Sequence, residues 1–239
     1  MIKVLIFNEF VHEQTEEKVK AVYPEGIHIA LKKALECDDI VIKTATVENC
    51  AEVITDEEIA QTDVCIWWGH MAHHKVPDEV ADRVVKAVHE GMGIIFLHSS
   101  HFSKPFKKLM GTPCALTWRE NDDRELVWVC DPSHPITQGI GRFIKLDMEE
   151  TYGEPFSIPE PDKLLFIGHY EGGEVFRAGC CFKRGNGNIF YFQPGHESYP
   201  TYYNKDVIRV IKNAIYWANP IYRNPITCPH VKKPLEDEE

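Results

Sequence analysis

Gly93-Ile94-Ile95-Phe96-Leu97-His98-Ser99-Ser100-His101 is the stretch on which the fold turns. Its first five residues form an uninterrupted apolar run, the pattern of a parallel strand buried on both faces. Four polar residues then end that strand, and residues 102–109 can start a helix. In an open parallel sheet, ligands bind outside the carboxyl ends of the strands. Two imidazoles and two hydroxyls at such an end are placed for chemistry. Plain strand- and helix-capping residues would give the same pattern.

The same rhythm extends toward the amino terminus. Residues 2–7, 40–44 and 64–68 read as strands. Residues 26–36 place Ile27, Ala30, Leu31, Ala34 and Leu35 at helical spacing. Thr55-Asp56-Glu57-Glu58 resembles a capping box, and Pro77 suits the start of a helix that Gly91 can stop. Strand–helix alternation at this spacing predicts βαβ units with right-handed crossovers. Beyond residue 111 the rhythm changes. Residues 125–129, 164–167, 175–178 and 188–192 are strand-like, with a Gly185-Asn186-Gly187 turn before the last. Residues 206–217 then form an amphipathic helix. The reading is one domain over 1–239, with 230–239 as a flexible acidic tail.

The 239 residues are enough for one large α/β core, and 44% hydrophobic with 26% charged residues is ordinary for a soluble domain. A formal net charge of −11 argues against nucleic acid or an anionic membrane as partner. No apolar run approaches a membrane span, and the first strand is too short for a signal core. The eight cysteines are scattered without a C-x-x-C, which suits reduced thiols in a cytoplasm.

Several further segments can carry chemistry. Trp67-Trp68-Gly69-His70-Met71-Ala72-His73-His74 follows the third strand. It offers His70 and His73 or His74 as metal ligands or acid–base groups. A solvated histidine-rich loop reads the same way, and the spacing matches no zinc signature. His134, between Pro132 and Pro135, is held at a fixed angle unless it belongs to a surface turn. In the acidic run 147–154, Glu149 or Glu150 can supply a carboxylate to an imidazole if it points inward; charge runs are otherwise solvated faces. Gln193-Pro194-Gly195-His196-Glu197 delivers a histidine to the end of another strand. Arg119 and Arg177 can grip a polyol or form structural ion pairs.

Together these segments resemble the trehalose-utilisation (ThuA-like) family. The similarity runs from the first strand to Trp217. It rests on Trp67-Trp68-Gly69-His70 with His73, Gly91-Met92-Gly93 leading to Leu97-His98-Ser99, and Leu109-Met110-Gly111-Thr112. It continues through Trp118-Arg119-Glu120, His134-Pro135-Ile136, Glu149-Glu150, Tyr152-Gly153-Glu154-Pro155-Phe156, Gly173-Glu174-Val175-Phe176-Arg177 and Pro194-Gly195-His196-Glu197. The resemblance implies a flavodoxin-like three-layer α/β sandwich with a mostly parallel central sheet, related to class I glutamine amidotransferases. It also implies disaccharide breakdown through 3-keto-sugars made by a partner oxidoreductase. A cytoplasmic homo-oligomer is expected.

Three functions then compete. In the first, an enzyme acts on a sugar or keto-sugar, with His98, His196, Glu150 and His134 catalytic. His70, Ser99, His101, Arg119, Tyr152, Arg177 and Glu197 hold substrate. In the second, amidotransferase or serine-hydrolase chemistry operates at the elbow, which offers Ser99 and Ser100 but no thiol and no flanking glycines. The third is a sugar-binding or regulatory domain using Trp67, Trp68, Tyr199, Tyr202 and Tyr203 as exposed stacking aromatics. A divalent metal, zinc above all, would unify His70, His73, His98 and His196.

Overall fold

In the computed structural model, which describes residues 1–225, 227–234 and 236, the apolar runs become the amino-terminal strands of one sheet. In chain order the first half contains β1 (Ile2–Asn8), α1 (His12–Thr15), α2 (Glu17–Val22), α3 (Ile27–Leu35), β2 (Ile40–Thr46), α4 (Cys50–Val53), α5 (Asp56–Gln61), β3 (Val64–Trp68), α6 (Asp78–Glu90), β4 (Gly93–Leu97) and α7 (Lys104–Met110). The second half contains β5 (Thr117–Val129), β6 (Phe143–Gly153), β7 (Lys163–Tyr170), β8 (Val175–Arg184), β9 (Gly187–Phe192) and α8 (Lys205–Ala218). Residues 235 and 237–239 of the expected acidic tail lie outside the described residues.

The sheet has nine strands in the order β2-β1-β3-β4-β9-β8-β7-β5-β6. Its first five strands are parallel. From β9 onward every pairing is antiparallel, so the parallel region is one half of the sheet. The reason lies in the connections. The β7–β8 and β8–β9 connections are turns of a few residues, too short for the crossover that a parallel pair needs. β3 and β4 are buried along their whole length, as their unbroken apolar runs require.

Strand order reverses at β1, so right-handed crossovers send α3 and α6 to opposite faces. α3 packs on β1, β2 and α8; α6 packs on α5, α7 and β9. The reversal opens a crevice at the carboxyl ends of β1 and β3, where such sheets bind ligands. Thr55 accepts a hydrogen bond from the Glu58 N–H, as the capping box predicts, and Gly91 ends α6 at φ +123°. No helix among the described residues is long and apolar enough to cross a membrane.

The expected strand at 125–129 extends to Thr117. The acidic run at 147–154 is largely a strand, β6, whose charges hide its alternation. A bulge explains how it works. Asp123 pairs with Glu149 while Glu125 pairs with Leu146, so β6 carries an extra residue between them. Past the bulge, Glu149 and Glu150 are both buried, because successive residues point to opposite faces and both faces are covered here.

Candidate active site

The end of β4 is a strained elbow, and the strained residue is His98, with φ +52°. Residues 98–102 form a 3-10 turn, and α7 starts only at Lys104. The elbow therefore presents an imidazole where elbow chemistry would place a nucleophile. His98 Nδ1 donates to the Gln193 carbonyl at 2.9 Å, which leaves Nε2 facing the Glu150 carboxylate, also at 2.9 Å. Tyr152 stacks on the ring, with centroids 5.2 Å apart. Burial opposes charge on His98, but Glu150 outweighs it and holds the pKa above the usual value; Glu150 is correspondingly lowered despite its own burial.

The chain after β9 brings the second half of the site. Gly195 has φ +134°, and a Cβ there would stand 2.0 Å from the Tyr202 hydroxyl, so only glycine allows this turn. Glu149 anchors it. Its carboxylate accepts from the N–H groups of Gly195, His196 and Glu150, each at 3.0 Å, and from the Thr201 hydroxyl at 2.7 Å. Burial holds the Glu149 pKa up. The Ser198 N–H donates to His196 Nδ1, which puts the ring proton on Nε2. That Nε2 lies 4.0 Å from Glu150 Oε2 and 3.7 Å from Glu197 Oε2. Burial lowers the His196 pKa to about 4.

Glu197 carries a second pair of imidazoles. Its Oε1 bonds His12 Nδ1 and lies 2.6 Å from His70 Nδ1. Burial disfavours a charged His70, but Glu197, with Glu150 and Glu9, lifts its pKa to about 9. His12 is raised mainly by its bond to Glu197, and both imidazoles pull Glu197 well below the carboxylate range against its burial. Glu9 accepts from the N–H groups of His70 and Met71 at 2.8 and 3.0 Å and so fixes the loop after β3.

These groups line one cavity of about 430 Å³, within the range of small-molecule sites. Of the residues expected from sequence, it holds His70, Ser99, His101, Glu150, Tyr152, His196 and Glu197; His98 sits behind Glu150. Ser99 Oγ donates to the Gly69 carbonyl at 3.0 Å. His101 bonds the Cys114 carbonyl at 2.8 Å, and burial lowers its pKa to about 3.

Other expectations are corrected. His134 lies far from the cluster. It accepts from the Ile136 N–H, packs on Trp217 and belongs to the amino edge of the sheet, where α8 ends against Gly93. Its flanking prolines stiffen a cap. Arg119 and Arg177 are consumed by ion pairs, the former with Asp123 and Glu174, the latter with Glu154. His73 packs behind Gly69, outside the cavity lining, and His74 is exposed. Trp67, Trp68, Tyr199 and Tyr202 are buried, and exposed Tyr203 stacks on Tyr23 away from the cavity. Sequence reading missed His12 and Glu9. Their signal was position, just past the end of β1 at the same sheet edge.

Three overlapping triads bring metal-type donor atoms within 4.8 Å of one another: His12, His70 and Glu197; His70, Glu150 and His196; His98, His196 and Glu197. Each pair of triads shares one residue, His70, His196 or Glu197, so the three form one connected cluster. His73 belongs to none of them. Against ligation stands the His196 tautomer, which presents N–H rather than a lone pair to the cavity.

With this geometry established, the class is an α/β protein whose site lies at the carboxyl edge of a mixed nine-stranded sheet. The sequence matches the ThuA model, described as trehalose utilisation, over residues 3–218. The chain belongs to the ThuA trehalose-utilisation family. Its structure is similar to a ThuA-like protein from Bacteroides uniformis, with 17% identity, TM-score 0.67 and 94% of each chain covered. A ThuA-like protein from Parabacteroides merdae gives 13% identity and TM-score 0.69, covering 93% of this chain and 92% of that one. A Thermoplasma acidophilum protein named for GMP synthase gives 15% identity and TM-score 0.51, covering 90% of this chain and 93% of that one. No curated protein matches the sequence.

Proposed function

We propose that the chain is an enzyme that moves a proton on the carbon beside the carbonyl of a keto-sugar. One observation supports this most. A single cavity holds two imidazoles with pKa values pushed apart, His70 to about 9 and His196 to about 4, with ring centroids 5.2 Å apart. Between them stands the lowered, ionised carboxylate of Glu150. Opposed shifts of this kind separate an acid from a neutral donor at one pH.

His196, uncharged with its proton on Nε2, polarises the substrate carbonyl. Glu150 Oε2 takes the proton from the adjacent carbon. The electron pair of that C–H bond forms the carbon–carbon double bond of an enolate, whose oxygen the His196 N–H holds. The hydroxyl on that carbon then gives its proton to the enolate oxygen, and Glu150 returns its own proton to the former carbonyl carbon, so that the carbonyl and hydroxyl change places and the sugar is isomerised. Alternatively, the glycosidic oxygen leaves with a proton from His70, which is elimination. His98 keeps Glu150 ionised and aimed. Each positioned acid or base supplies roughly 10²–10⁴-fold. The substrate must come from oxidation of a sugar secondary alcohol, the reaction class of a dehydrogenase partner. A reducing cytoplasm suits the eight unpaired thiols.

Neither elbow alternative has a nucleophile. No cysteine lines the cavity, and the Ser99 hydroxyl is spent on a backbone carbonyl. The test is incubation with a 3-keto-disaccharide in D₂O, followed by NMR. Deuterium should enter beside the carbonyl, and Glu150→Gln should slow this by roughly 10²–10⁴-fold. Tight sugar binding without exchange or turnover would instead establish a binding module. A divalent ion is the second reading. It is favoured by Glu197 Oε2, buried without a hydrogen-bond partner among the described residues. Elemental analysis finding near-stoichiometric zinc, lost in His196→Ala, would replace the His196 N–H by a Lewis acid.

A further inference from the structure

Trp118 is 66% exposed, yet it lines the same cavity as the acid–base groups. A large indole left in water is informative in a way that a buried one is not. It stands directly opposite Tyr152 in the β5–β6 ladder. Cross-strand neighbours are about 4.5–5.5 Å apart, and Tyr152 is itself stacked on His98 at 5.2 Å. The indole therefore begins about one sugar ring away from the reacting centre. Phe102, Met71 and Leu116 continue the apolar wall, and Glu16 and Glu120 place carboxylates beside it.

We propose that Trp118, Phe102 and Met71, with Glu16 and Glu120, form a subsite for the second ring of an unphosphorylated two-ring glycoside. This rests on the keto-sugar reading of the inner site. A pyranose has an apolar C–H face that packs on an aromatic plane, and hydroxyls at its rim that donate to carboxylates. Both surfaces are present here in one wall. Charge selects against a phosphate, because the outer wall carries Glu16 and Glu120 and neither lysine nor arginine, and the raised imidazoles of His12 and His70 are already held by Glu197. Lys18, near the mouth, is paired with Glu120 at 4.0 Å.

The full chain is tested by calorimetric titration with trehalose, methyl α-glucoside and trehalose 6-phosphate, none of which requires turnover. Trehalose should bind about tenfold tighter than the one-ring glucoside, equivalent to 1.4 kcal/mol, and the phosphate should bind more weakly than trehalose. Trp118→Ala should reduce trehalose to the level of the one-ring sugar, while Trp118→Phe should restore part of the difference. Equal binding of one- and two-ring sugars, tighter binding of the phosphate, or an unchanged Trp118→Ala would each overturn the subsite. The inner-site chemistry is judged separately. Trp118-dependent trehalose binding without any keto-sugar exchange retires the mechanism and keeps the subsite. Keto-sugar exchange with KM indifferent to Trp118 does the reverse.

Discussion

His70 shows how strongly one carboxylate can set the behaviour of a site. Its pKa, near 6.5 in an unfolded chain, rises to about 9 because Glu197 prefers a charged partner more than burial disfavours one. A group raised on folding stabilises the native state fully below its unfolded pKa. That contribution is lost as pH climbs through the folded value. Denaturant midpoints should therefore fall between pH 6.5 and about 9, and His70→Gln should flatten that slope. As the proton donor, His70 should keep turnover up across that range, and turnover should fall only as pH passes about 9, where the folded imidazole loses its proton. Identical slopes in the two proteins would contradict the assignment. At this scale the histidines at strand ends, 70, 98 and 196, could be read from sequence, since each follows an apolar run. His12 could not, because a four-residue helix after β1 has no periodicity to mark which side chain turns inward.

At the scale of elements, the turn after β9 is decisive. Gly195 combines a left-handed φ with contact against Tyr202, and its N–H and that of His196 are held by Glu149. Gly195→Ala adds both backbone strain and a clash, together costing roughly 2–4 kcal/mol. It should also lower kcat more than an equally destabilising core substitution elsewhere, because His196 would swing from its place. Urea melts paired with steady-state kinetics would show this; a stable, fully active variant would not fit. The parallel strands could be read from uninterrupted apolar runs such as Val64–Trp68. β6 was less legible, because its buried acids imitate a solvated surface and its bulge breaks the two-residue period just before Glu149. The inward turn of those acids is fixed by partners distant in sequence, Thr201 and His98.

For the whole molecule, the two edges of the sheet have separate duties. The carboxyl edge gathers His12, His70, His98 and His196, while the amino edge carries the His134 cap against α8. His134→Ala should leave kcat/KM within twofold of the parent and should only loosen that end, by about 1 kcal/mol as for other lost caps. A large loss of activity with an intact fold would require a link between the two edges. Domain class followed from the strand–helix alternation. The switch to antiparallel pairing was only partly visible, because it depends on which strand ends up beside β9, a choice made by the assembled core.

β9 is the seam where the two kinds of sheet meet, parallel to β4 on one side and antiparallel to β8 on the other. The turn that holds His196 hangs from this seam and is clasped by a buried acid from the far sheet edge, on β6. The amides of Gly195 and His196 thus work as a clock on the molecule's breathing. They can trade their protons with solvent only when the clasp opens, and each such opening momentarily takes the site apart.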